Sequence, residues 1–378
     1  MAEDLFSSHP TTLTPPKGDD DRLAWLRLLR SRRVGVSTFF RLMREHGSAQ
    51  KSLAALPETA RAAGVQDYTV CPEGVAVAEM KAAKAVGATM VCYGDATYPA
   101  TLTDIPDPPP LLWCIGDTAL MARPMVAMVG ARNASSLGTR MARKLAEGLT
   151  DTGYVVVSGL ARGIDTAAHL AALDGGTIAV QAGGVDVIYP RENAALADDI
   201  AKTGLRLSEI AIGTQPQARH FPRRNRIISG MANAVVVVEA AARSGSLITA
   251  KNALDQGRDV LAVPGHPFDA RAFGCNALLR DGATLVRSAE DVIEAIGKEQ
   301  VAQPAPIPQQ PPKPERSLRD TSKLHSEILS RLGPSPLAED QLIRDLELPS
   351  QKVAPELLNL ELDGKIIRAP GGLLSLAH

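Results

Sequence analysis

Six short, mostly apolar runs constrain this chain more than any other feature. MVAMV (125–129), YVVVS (154–158), TIAVQ (177–181), LRLS (205–208), AVVVV (234–238) and DVLAV (259–263) are each followed by a glycine-rich or polar turn and then a helical stretch. Runs that stay apolar without strict alternation suit strands covered on both faces. Strands that alternate with helices build a parallel sheet between two helical layers. The expected fold class is therefore α/β, with an extended Rossmann-like parallel-sheet domain over residues 88–297.

The flanks read differently. Residues 21–87 have helical spacing, with Val34, Phe39, Leu42 and Met43 on one face, and suggest a small helical domain of the SAM or helix-hairpin-helix kind. In such a unit the glycine turn of VGVS (34–37) can present backbone N–H groups to a phosphate, the alternative being a plain helical bundle with a glycine turn. Residues 1–20 are polar and acidic and are expected to form a disordered tail. Residues 298–322 are rich in proline and glutamine and read as a linker. Residues 323–378 give three amphipathic helices and a hairpin turning at Gly371 and Gly372, a winged-helix pattern.

Composition narrows the class. The formal net charge of −1 gives no whole-molecule attraction to nucleic acid, so any such attraction needs a local patch. Aromatic residues are 3% of the chain, so each one needs a reason. The four cysteines form no C-x-x-C pair, which argues against a zinc knuckle or disulfide framework and fits a reducing cytoplasm. There is no secretory leader pattern and no apolar run long enough to span a membrane. No metal and no cofactor are expected.

In an open parallel sheet, ligands bind where loops and helix N-termini meet at the strands' carboxyl ends. The turns there read GARNASSLG (130–138), SGLARGID (158–165), AGGVDVIYP (182–190) and EAAARSGSLITA (239–250). Glycine, serine and helix N-termini together suit phosphate. Neither G-x-G-x-x-G nor G-x-x-x-x-G-K-[ST] occurs, which argues against a dinucleotide dehydrogenase and a P-loop ATPase. No catalytic set emerges. Asp165 and His169 stand four residues apart as an acid–base pair or as a cap and a structural histidine, and Glu209 and Glu239 are open as bases or as arginine partners.

RHFPRRNRIIS (219–229) gathers Arg219, Arg223, Arg224 and Arg226 around Phe221. Guanidinium forks suit phosphate oxygens and an aromatic face beside them suits an unstacked base, so the segment favours single-stranded over duplex DNA. The alternative puts these arginines on a solvated helix face with Phe221 in the core.

VGAR, SGLARGIDTAAH, AGGVDVIYP, FPRRNRIISG, VVVVEAAARSGSLITA and AVPG, in this order, resemble the DNA-processing protein A (DprA/Smf) family from about Tyr98 to Arg287. The resemblance implies a non-catalytic recombination mediator in the cytoplasm. It would bind and protect incoming single-stranded DNA in natural transformation, load a RecA-type recombinase, and form a homodimer through the Rossmann-like domain. It also implies that Arg132, beside the Gly130 turn, lines a basic DNA pocket, that Phe221 stacks on a base, and that the Ser158–Gly159 and Ser244–Gly245–Ser246 turns meet phosphate. Some members carry a lysine three residues before the aromatic, where this chain has Ala218, with Arg219 next to it.

A rival reading is a Rossmann-like nucleotide-processing enzyme of the phosphoribohydrolase kind, whose P-G-G-x-G-T-x-x-E motif is missing. A second is a winged-helix regulator. Against it, Glu356, Glu361 and Asp363 outnumber Lys352 on the recognition helix expected at Ser350 to Asp363, so that face should repel phosphate and contact protein instead.

Overall fold

A computed structural model describes residues 14–300, 318–333, 336–346, 348–369 and 373–376. The chain forms two compact units, residues 1–301 and 302–378. Residues 1–13 of the expected tail, 301–317 of the linker, and Gly371 and Gly372 lie outside the described residues.

The first unit is organised around a nine-stranded sheet in the order β1-β2-β6-β5-β4-β3-β7-β8-β9. Its strands are β1 (Thr89–Cys92), β2 (Leu111–Gly116), β3 (Met125–Val129), β4 (Val155–Ser158), β5 (Thr177–Val180), β6 (Leu205–Ser208), β7 (Ala234–Val237), β8 (Asp259–Ala262) and β9 (Thr284–Leu285). The six apolar runs are β3 to β8, all parallel to their neighbours within that set. β2 joins β6 antiparallel and β1 joins β2 antiparallel. The chain winds outward from β3 to β6 and then returns to place β7 on the other side of β3, so a switch point opens between β3 and β7.

Alternate side chains of the same strands enter opposite layers. Val126, Met128, Val156 and Val236 pack with Leu145, Leu149 and Ile164, while Ala127, Val129, Val157 and Val235 pack with Ile227, Ile228 and Ala250. The first layer is built by α6 (Ser136–Asp151), α7 (Ile164–Ala171) and α12 (Ala289–Gln300), with α8 (Ala194–Thr203) nearby over β5 and β6. The second is built by α9 (His220–Met231), α10 (Ser246–Asp255), α11 (Phe273–Arg280) and the short α5 (Ala100–Thr103). Burial on both faces is why these strands carry few polar residues.

Four helices precede the sheet: α1 (Asp19–Arg30), α2 (Val36–His46), α3 (Ala49–Ala62) and α4 (Glu73–Ala85). The acidic run at 19–21 is the first turn of α1, where carboxylates favour the helix dipole, so the helical module begins before residue 21. Trp25, Leu26, Phe39 and Leu42 form a core that continues into Cys92, Leu111 and Trp113 of β1 and β2. Glu79 fixes the docking by accepting from Trp113 Nε1 at 2.9 Å and from Arg30 through two bonds of 2.8 Å.

The second unit is a winged helix of α13 (Leu318–Arg331), α14 (Glu339–Asp345) and α15 (Ser350–Leu362) with β10 (Leu337–Ala338), β11 (Ile366–Ala369) and β12 (Leu373–Leu376). Helix α13 begins inside the stretch expected to be linker. Ile328, Leu342, Val353, Leu357, Leu360 and Leu374 fill its core. Glu356 is not on the exposed face of α15 as expected from sequence: it is buried and bonded to His325 Nε2 at 2.8 Å. Glu361 pairs with Arg368 and Asp363 with Lys365, which offsets much of the negative charge read from the sequence.

Candidate nucleic-acid interface

At the switch point the end of β3, the first turn of α9 and the loop entering α10 enclose an open cleft of about 590 Å³. Gly130, Arg132, Phe221, Arg224, Ser244, Gly245 and Ser246, seven of the twelve residues nominated from sequence, line it. Ser158, Gly159, Arg219, Arg223 and Arg226 do not. Gly130 has a packing reason as well, since a Cβ there would sit 2.6 Å from Ile164 Cγ1.

The basic segment enters as the first half of α9, the end of a helix that disfavours cations. Its arginines therefore need compensation, and the structure divides them by how they obtain it. Arg224 is buried. Its Nη1 donates to Gly159 O at 2.6 Å and Val180 O at 2.7 Å, so it ties α9 to the ends of β4 and β5. Burial pulls its pKa down to about 10, against the opposing influence of Asp165. Arg226 is buried too, with Nη2 on Glu209 at 2.6 Å and Nε on Asp107 at 3.0 Å. Arg223 is exposed and only 3.9 Å from Glu209. Arg219 is exposed at the N-cap of α9. His220 senses this concentration of charge: its pKa is lowered by burial and then by Arg219 and Arg223.

Phe221 is half-buried. The guanidinium of Arg132 lies over its ring, Cζ 5.3 Å from the centroid, and Tyr189 meets it edge-on at 5.8 Å. Arg132 is exposed and, among the described residues, pairs with no acid. The ring thus holds a free cation at the mouth of the cleft.

The glycine-rich turns are less alike than their sequences suggest. Ser135 caps α6 and Glu239 accepts from Ser135 N at 2.9 Å, so a carboxylate already occupies that helix N-terminus. In the next turn Asp165 accepts from Gly159 N at 3.1 Å and Ala161 N at 3.3 Å, and burial raises its pKa. Ser158 is wholly buried and donates to Met128 O at 2.6 Å. A Cβ on Gly159 would meet Arg224 Nη1 at 2.0 Å, so glycine is required there by the arginine rather than by a ligand. Asp186 of the third turn accepts from Gly213 N.

The fourth turn keeps one amide for a visitor, since Ser246 N, Leu247 N and Ile248 N already donate to Ser244 Oγ, Ser244 O and Gly245 O. Gly245 is the N-cap of α10, no acid lies in that helix's first turn, and among the described residues no group accepts from Gly245 N–H. Ser244 and Ser246 share a hydrogen bond of 2.7 Å, and Arg243, exposed and without an acidic partner among the described residues, lines the cleft beside them. The site therefore offers an aromatic ring, two unpaired guanidinium groups and the Gly245 N–H at a helix start that carries no acid, which suits a phosphate chain carrying an unstacked base.

The candidate catalytic groups already have partners, Asp165 within the lining of the cleft itself. Asp165 and His169 brace one loop and do not bond each other. His169 Nε2 accepts from Leu160 N at 3.3 Å and its Nδ1 lies 2.7 Å from Thr177 Oγ1, which itself donates to Val156 O. Burial lowers the His169 pKa to about 3 and keeps the ring neutral. Among the described residues no cluster of three histidines, cysteines or carboxylates is placed to hold a metal, and no helix is long and apolar enough to cross a membrane.

Residues 89–297 match the family described as DNA recombination-mediator protein A, residues 19–82 a DprA-like N-terminal HHH domain, and residues 311–372 a DprA winged helix domain. The chain belongs to the DNA recombination-mediator protein A family. DNA processing protein DprA of Streptococcus pneumoniae is 49% identical over 201 residues, covering 53% of this chain and 71% of that protein. Protein Smf of Escherichia coli is 38% identical over 287 residues, covering 74% and 75%. The X-ray structure of the S. pneumoniae protein superposes with a TM-score of 0.62 at 37% identity, covering 72% of this chain and 97% of that one. A structure of DNA processing protein A from Helicobacter pylori, described for its single-stranded DNA binding mode, gives a TM-score of 0.52 at 30% identity, covering 56% and 96%.

Arg243 of the cleft lining and Tyr189 beside Phe221 escaped the sequence reading. Arg243 precedes the Ser-Gly-Ser turn, and the reasoning that selected Arg132 after its glycine applies equally to it. Tyr189 ends the third turn beside Pro190 and carried the signal of a scarce aromatic in a loop that follows a strand.

Proposed function

We propose that the cleft binds single-stranded DNA, with a base on Phe221 and backbone phosphates on Arg132, Arg243 and the Gly245 N–H at the start of α10. The observation that carries this reading is the free Arg132 guanidinium over the Phe221 ring, facing a helix N-terminus with no acid of its own. Arg219 and Arg223 extend the positive surface outside the cleft, while Arg224, Arg226, Ser158 and Gly159 hold its walls. The role is binding rather than catalysis: the protein protects incoming DNA and loads a RecA-type recombinase during natural transformation, in the cytoplasm, as a homodimer through the sheet domain. The open edge at β9, with Leu285 exposed, supports pairing of that kind.

Titration of single- and double-stranded oligonucleotides over a salt series tests the binding step. Phe221→Ala should weaken single-strand binding by about 1–3 kcal/mol, the worth of one stacked base. Arg132→Ala should reduce the slope of log affinity against log salt by about 0.7, the share of one phosphate. Unchanged single-strand affinity in both variants, or a preference for duplex in the unmodified protein, would remove the assignment.

A further inference from the structure

Among the described residues three aromatic side chains are more than a third exposed: Tyr189, Phe268 and Phe273. Of these, Tyr189 borders the cleft. Its ring, 51% exposed, meets that of Phe221 with centroids 5.8 Å apart and planes inclined at 62°. Its hydroxyl has no hydrogen-bond partner among the described residues, so no polar contact explains a tyrosine at this position.

The ring stands on a fixed base. Gln181 Nε2 donates to Val187 O at 2.9 Å, Asn193 Nδ2 donates to Leu160 O at 2.8 Å, and Ala182 bonds His220 at the start of α9. The third turn is thereby braced against both the second turn and α9. A platform ordered before the ligand arrives costs less to bind.

A cation stands next to it. Arg162 follows Ala161 of the cleft lining and pairs at 3.6 Å with Glu192, three residues after Tyr189. Both side chains are 60% exposed, and such a surface pair contributes little, so the guanidinium is free to turn to a phosphate. Arg191, also exposed, outweighs Glu192 with Arg162 and keeps the local charge positive.

We propose that Tyr189 is a second base platform: a strand with one base on Phe221 lays the neighbouring base on the Tyr189 ring, and Arg162 takes a phosphate beside it. Rings inclined at 62° hold two bases at a like angle, so successive bases are splayed and the strand turns between them. Duplex bases, stacked on one another, cannot be presented that way. This rests on the cleft reading above.

The rival role for Tyr189 is to steady Phe221, and a double-mutant cycle in the full chain separates the two. The probes are an oligothymidine of about twenty nucleotides and a base-free strand of the same length, titrated at low salt. Tyr189→Ala should weaken oligothymidine about tenfold, by a like factor whether or not Phe221 is also replaced by alanine. It should leave the base-free strand, the salt slope and the melting temperature unchanged, and Tyr189→Phe should bind as the unmodified protein. Arg162→Ala should lower the salt slope by about 0.7, and an unmoved slope overturns that phosphate contact. A Tyr189→Ala loss seen only while Phe221 is present makes Tyr189 a prop. Equal loss on the base-free strand, or no loss at all, takes its ring off the bases. Each of these overturns the second platform, and the cleft reading stands as long as Phe221→Ala weakens oligothymidine. If Phe221→Ala is silent, it is the cleft reading that fails.

Discussion

Replacing Arg224 by methionine separates a residue that builds the cleft from one that touches the ligand. The guanidinium is buried, donates to Gly159 O at 2.6 Å and Val180 O at 2.7 Å, and balances the neighbouring Asp165 carboxylate. Methionine fills much of the same space and supplies none of these interactions. A hydrogen bond from a charged donor contributes about 1.5–3 kcal/mol, so the two carbonyl bonds together amount to about 3–6 kcal/mol. Relief from burying a cation returns part of this, and stranding Asp165 without its counter-charge removes part again. The expected net loss is about 3 kcal/mol, which for a unit of this size lowers the melting temperature by roughly 5 °C. Thermal unfolding followed by circular dichroism measures it, with single-strand affinity read by fluorescence anisotropy well below the transition. Arg132→Ala should show the converse pattern, with stability within about 0.5 kcal/mol of the unmodified protein and weaker binding. If Arg224→Met melts with the unmodified protein yet loses DNA as Arg132→Ala does, the guanidinium belongs on the strand and the structural role assigned to it is wrong.

Arg243→Ala should lower the salt slope of single-strand binding by about 0.7 without changing the melting temperature, and an unaltered slope would exclude Arg243 from the phosphate path. His169 is held neutral with its pKa lowered to about 3, against 6.5 when unfolded. Between those values the unfolded chain binds a proton that the folded chain does not, so stability present above pH 6.5 is lost as the pH falls, by about 2 kcal/mol at pH 5. In His169→Gln, which can donate and accept at the same two partners, denaturant titrations across this range should lack that component. Asp165 works in the opposite sense, its stabilisation being lost as pH rises through its raised pKa, and it is common to both proteins. Parallel pH profiles would contradict a neutral buried His169.

The sheet was legible because strands buried on both faces have little room for polar residues, so β3 to β8 appear as apolar runs. β9 was not legible: two exposed residues at a sheet edge leave no pattern. In the cleft, Arg132, Phe221 and the 244–246 turn could be read because each sits next to a local marker, a strand-end glycine or a helix start. The fates of Arg224 and Arg226 could not be read. Their partners, Gly159, Val180, Glu209 and Asp107, are distant in sequence, and an arginine facing a carbonyl looks in sequence like one facing solvent. The same distance hid Glu239 at the α6 N-terminus, which a local reading leaves open to a ligand.

That glutamate has a consequence for the company the protein keeps. Where dinucleotide-binding folds seat a diphosphate, this chain carries its own tethered carboxylate, bonded to Ser135 and pressed against Gly138. A tethered anion cannot be diluted away, so abundant free nucleotides find that seat filled. What remains accessible is the neighbouring start of α10 and the Phe221 ring of α9, in an open cleft. On the binding reading proposed above, a long strand would meet it with many phosphates at once, so selection by polymer length would precede any reading of a base.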